Sequence, residues 1–80
     1  MDNREKYINA FIEGLEIDAS LVKEGLEYQS IPEWDSVGHM GLISALEDTF
    51  DIEMDTDDII DLSSFDKGME ILTKNYQIEF

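Results

Sequence analysis

The sequence predicts an all-α fold, a small four-helix bundle with three longer helices and one short one. Three observations lead there. Apolar residues recur at helical spacing in three separate segments, no segment alternates as a strand does, and 80 residues without an internal repeat make one domain over 1–80. With 42% hydrophobic and 10% aromatic residues, the chain has the apolar material for a core.

The first helix is expected from about Asn3 to Leu15. Tyr7, Ile8, Phe11, Ile12 and Leu15 follow the i, i+1, i+4, i+5, i+8 pattern of one face. Asp2 or Asn3 caps its start, and Gly14 weakens its last turn. A long loop then runs from Glu16 to Trp34, broken by Gly25 and Pro32. Its Ile17, Leu21, Val22, Leu26, Tyr28, Ile31 and Trp34 lack regular spacing and are expected to pin the loop across the core, with room for a short helical turn near Ser20 to Lys23.

Asp35 opens the second helix, about Ser36 to Phe50. Leu42, Ile43, Leu46 and Phe50 share one face with His39 at its N-terminal end, and Val37, Met40, Gly41, Ser44, Glu47 and Asp48 lie opposite. Gly38 and Gly41 each cost about 0.5–1 kcal/mol against alanine, so the start of this helix is expected to be soft. Asp55 stands as N-cap of a short helix from about Thr56 to Asp61, with Asp57 and Asp58 in its first turn. Ser63 or Ser64 caps the last helix, Ser63 and Asp66 having capping-box spacing, and Phe65, Met69, Leu72 and Tyr76 form its apolar face.

Charge narrows the function. Twenty acidic residues against five basic ones give a net charge of −15, which repels phosphate backbones and anionic membranes and suits basic protein surfaces. No apolar run reaches the roughly 20 residues that span a bilayer, and the opening MDNREKYINAFIEG does not read as a signal peptide. The absence of cysteine excludes disulfides and thiolate chemistry. The expectation is a monomeric cytoplasmic domain. A calcium loop starting at Asp51 places Glu53 and Asp55 well but puts Thr56 where glycine is needed and Leu62 where glutamate is needed, so no metal is expected. Ser36 and His39 are three apart on a helix, yet no nucleophile-elbow context surrounds them, so no catalytic residue is expected. Acidic pairs such as Asp57 with Asp58 read as solvated surface, because nothing in the sequence sets their pKa values apart. Ser36 is the residue of interest: it sits in the first turn of a helix, where free N–H groups and the helix dipole favour an attached anion.

The run Asp35-Ser36-Val37, followed by Leu42, Ala45, Leu46, Glu47, Phe50 and Asp51, resembles the acyl carrier protein family, whose Asp-Ser-Leu signature opens the second helix. The resemblance extends over the order of all four helices and the long first loop. It implies that Ser36, with Asp35 in the attachment motif, receives 4′-phosphopantetheine from a phosphopantetheinyl transferase. It also implies that the chain presents thioester-bound acyl groups to loading and transferring enzymes with basic docking patches. Val37, Met40, Ser44, Glu47 and Asp48 become the partner-docking face, and Leu46, Met54, Ile59 and Ile60 the candidates for an acyl cavity. Val37 replaces the usual leucine, Gly38 and Gly41 stand where the fatty-acid type carries acids, and Trp34 precedes the motif. These departures suggest a specialised lipid, polysaccharide or secondary-metabolite pathway. A peptidyl or aminoacyl carrier and an unmodified acidic interaction module are the alternative readings.

The unbalanced charge predicts self-repulsion that salt relieves. Thermal melts at neutral pH should show a midpoint that rises with added sodium chloride or divalent cation; a midpoint insensitive to both would show that the charge does not strain the fold.

Overall fold

The computed structural model describes residues 1–80 and contains four α-helices: α1 (Asn3–Leu15), α2 (Ser36–Phe50), α3 (Thr56–Asp61) and α4 (Phe65–Tyr76). The caps are local chemistry. Asp2 accepts from the Glu5 amide at 2.8 Å, Asp35 from the Gly38 amide at 2.8 Å and Ser64 from the Lys67 amide at 2.9 Å. Ser64 is thus the cap of α4, and the Ser63–Asp66 capping box does not form. Asp55 precedes α3, but its side chain makes no capping bond. Glu16, Asp51 and Gln77 end α1, α2 and α4 in the left-handed conformation (φ about 55°), the first two returning their amides to the carbonyls of Ile12 and Glu47 four residues back and Gln77 to that of Leu72 five back.

Seventeen buried apolar residues form a single cluster, and aromatic rings run through it. Tyr7, Phe11 and Phe65 meet with centroids 4.9 to 5.5 Å apart, Phe80 closes over Tyr7 at 5.3 Å, and Phe11 meets Trp34 edge-on at 5.4 Å. The Tyr7 hydroxyl, fully inside, donates to the Phe65 carbonyl at 2.6 Å, and burial pushes its phenol far above the ordinary tyrosine range.

The long loop is fixed in two ways. Ile17, Val22, Leu26 and Trp34 are buried in the core as expected, and one 3-10 turn, Ala19–Leu21, lies a residue ahead of the anticipated helical turn. Backbone pairing adds a hold that side-chain spacing did not indicate. The Tyr28 amide donates to the Ser63 carbonyl at 2.8 Å and the Phe65 amide to the Leu26 carbonyl at 2.8 Å, an isolated antiparallel bridge between the loop and the α3–α4 link.

The glycines correct the sequence reading. Gly41 does not face outward: α1 and α2 cross so closely that a Cβ on Gly41 would lie 2.7 Å from the Gly14 carbonyl oxygen, and one on Gly14 2.6 Å from the Leu42 Cα. A Cβ on Gly38 would collide with the Glu33 carbonyl oxygen. Gly14, Gly38 and Gly41 are therefore packing residues. Gly38 and Gly41 have no room for the acidic side chains whose absence looked like a feature of partner choice.

Two effects oppose each other at position 41. Alanine favours an isolated helix by about 1 kcal/mol, whereas overpacking a close backbone crossing costs about 1–3 kcal/mol. Packing should win: Gly41→Ala is expected to lower the unfolding free energy in urea, and a stabilised variant would show that the helices are free to part.

Candidate functional site

Ser36 is the first residue of α2 and is exposed. The Asp35 side chain engages the Gly38 amide, and the Asp35 carbonyl accepts from the His39 amide at 2.8 Å. The Ser36 and Val37 amides have no acceptor within the chain. A hydroxyl and two free N–H groups thus share the positive end of a 15-residue helix.

Beside Ser36 opens a mainly apolar cleft of about 400 Å³. Met40 of α2, Ile59 and Ile60 of α3, and Leu62 form its apolar sides; Tyr28 and His39 line it too, with the serines Ser36 and Ser63 completing it. Two of the four cavity candidates, Ile59 and Ile60, belong to it. The other two do not. Leu46 is wholly inside the bundle and Met54 is buried with it, so both are core.

His39 ties the site together and is more than a polar residue at the rim of the core. The Trp34 indole N–H donates to its Nδ1 at 2.9 Å, and its Nε2 lies 2.7 Å from the Ile59 carbonyl oxygen. Because indole is only a donor, Nδ1 must accept, so Nε2 carries the hydrogen and donates to Ile59. The two rings lie side by side, 14° from parallel with centroids 6.2 Å apart, and Tyr28 meets His39 edge-on at 5.5 Å. One imidazole therefore joins the loop, α2 and α3.

α3 is too short to hold itself in place, and a polar cluster fixes it to α4. Asp58, the one buried charged residue, accepts from the Asn75 amide nitrogen at 2.8 Å and from the Tyr76 hydroxyl at 2.7 Å. That hydroxyl in turn accepts from the Asp55 amide at 2.8 Å, and desolvation raises the Tyr76 phenol above its ordinary range. Asp58 is thus an anchor, unlike the solvated acid its first-turn position implied.

The expected docking face narrows in the same way. Val37 and Met40 are 80% and 58% exposed, and Ser44 and Asp48 continue their stripe. Glu47 leaves it: half-buried, its carboxylate accepts from the Met54 amide at 2.9 Å and fastens the α2–α3 link. Ile60, 71% exposed, extends the apolar surface onto α3. Charge is polarised around this surface. No lysine or arginine occurs between Lys23 and Lys67, a stretch that holds 13 of the 20 acidic residues. Lys67 and Lys74 pair with Glu70 on α4, and the Arg4 guanidinium lies 5.8 Å from the Phe65 ring centre. No group of acids or histidines is arranged to hold a metal ion, and no helix is long and apolar enough to cross a membrane.

Tyr28, His39, Leu62 and Ser63 were not in the sequence-derived cavity. Tyr28 and Ser63 reach it through the loop-to-link bridge, a pairing of distant segments that leaves no periodic signal. For His39 the usable signal was a lone imidazole five residues after a lone tryptophan. Comparison of the chain with protein-family models, with curated proteins and with solved structures finds no match.

Removing the Tyr76 hydroxyl takes one partner from Asp58 and one from the Asp55 amide. Tyr76→Phe should cost about 1–2 kcal/mol, read as a lower urea midpoint. An unchanged midpoint would mean that water replaces both bonds.

Proposed function

We propose that this chain is a carrier protein of the acyl carrier type, bearing 4′-phosphopantetheine on Ser36. One observation carries the reading: an exposed serine hydroxyl begins a helix at the lip of an apolar cleft, with an aspartate cap behind it and two free amides beside it. The resemblance of Asp35-Ser36-Val37 and the helix order to that family supports it.

The residues fit the group. Ser36 Oγ is accessible for a phosphodiester, and the Ser36 and Val37 amides would be free to donate to its anionic oxygens at the helix terminus. The group supplies a thiol on a flexible arm, the function that a cysteine-free chain lacks, and on it acyl groups ride as thioesters. Tyr28, Met40, Ile59 and Ile60 offer the arm and its cargo an apolar resting place. Val37, Met40 and Ile60 form a small exposed contact surface, and the acids around it draw in partners with basic patches while keeping the encounter salt-sensitive. The protein on this reading catalyses nothing; it is the substrate of its partners.

The test is direct. Incubation with coenzyme A, Mg²⁺ and a broad-specificity phosphopantetheinyl transferase should transfer one phosphopantetheine to Ser36 Oγ with release of adenosine 3′,5′-bisphosphate. Intact mass should rise accordingly, and Ser36→Ala should abolish the gain while leaving the circular dichroism spectrum unchanged. No gain under conditions that load a control carrier would leave the chain an unmodified interaction module.

A further inference from the structure

We infer that the Trp34–His39 pair sets the cargo class: short, uncharged acyl groups that stop in the cleft, and not long chains threaded into the bundle. The inference rests on the attachment to Ser36 proposed above. The cleft is lined by the loop, α2, α3 and the α3–α4 link, and no residue of α1 or α4 reaches it. Behind it lie wholly buried side chains. Trp34, Phe11, Leu42 and Leu46 are all at 0% exposure, and no second apolar cavity continues inward.

His39 is the wall between the two spaces. Its ring meets the edge of Trp34 through the Nδ1 bond and also lines the cleft, and both ring nitrogens are engaged. An alkyl chain that pushed past it would strand a buried indole N–H and the Ile59 carbonyl, a loss set against each methylene buried. Charge excludes a second class of cargo. No cation lines the cleft, both His39 nitrogens are taken, and residues 24 to 66 contain no lysine or arginine. A terminal carboxylate on the cargo would find no partner there and would be repelled by the surrounding acids. His39 acts through the shape of the cleft and is a positioning residue.

The experiment loads the intact protein from butyryl-, succinyl- and dodecanoyl-coenzyme A with the transferase, checks each product by mass, and compares it with the form carrying pantetheine alone. Butyryl loading should raise the thermal midpoint by about 5 °C. Dodecanoyl should raise it no further, succinyl should not raise it, and the emission of Trp34, the only tryptophan, should stay constant. In His39→Ala, dodecanoyl should stabilise more than butyryl and Trp34 emission should shift; a purely structural role would lower every midpoint alike. A dodecanoyl midpoint well above the butyryl one in the unaltered protein, or a succinyl midpoint equal to it, overturns the inference. Should His39→Ala not fold, that comparison in the unaltered protein decides by itself. Absence of any mass gain overturns the attachment to Ser36 and the cargo class together, whereas a full mass gain with stability climbing along the chain-length series overturns the cargo class alone.

Discussion

An indole buried completely must give its N–H a partner, and for Trp34 that partner is the imidazole of His39, 2.9 Å away. The bond fixes the end of a 20-residue connection against the first turns of α2. By holding Nδ1 as an acceptor it also leaves Nε2 to donate to Ile59, which sets the distance from α2 to α3. Ser36 sits between these two residues in the chain. Its exposure and its place beside the cleft follow from Trp34 being held inside and α3 being held at arm's length.

The core has to resist a large electrostatic load. Only two ion pairs form, both on Glu70, so most of the twenty acidic side chains have no basic partner within the chain. Exposed pairs of this kind contribute little in any case. Cohesion comes from the single apolar cluster and its aromatic rings, with the few polar contacts placed where short elements need them: Glu47 at the α2–α3 link, Asp58 at α3, Tyr7 across to α4. The charge is left for the surface around α2 and α3, where it bears on partners in the carrier reading.

Close approach of α1 and α2 has its own cost. Gly14 and Gly41 give up intrinsic helix stability to let backbone touch backbone, and Gly38 does the same against the Glu33 carbonyl of the loop. In exchange the exposed side of α2 is reduced to a narrow stripe of Val37, Met40, Ser44 and Asp48. A helix with acids at 38 and 41 could not pack this way, so the composition here reflects the loop at Glu33 and the neighbouring helix before it reflects any partner.

What the chain determined by itself is what depends on neighbours in sequence. The four helices, the cap at Asp2, most of the buried faces and the hold of Ile17, Val22, Leu26 and Trp34 on the loop are written in spacing and short-range hydrogen bonding and stand in the structure as read, while Gly41 turned inward and Leu21 and Tyr28 stayed exposed. The exposed start of α2 at Ser36 is of the same kind. Tertiary structure decided the fate of residues whose role depends on what arrives through space. Asp58 became an anchor because Asn75 and Tyr76 come to it, Glu47 a clasp because the Met54 amide does, and His39 a tie because the Trp34 indole and the Ile59 carbonyl meet its two nitrogens. Leu46 and Met54 went to the core while Ile60 stayed out, although all three are apolar, because periodicity tells which side of a helix is buried but not which gap between elements is left unfilled.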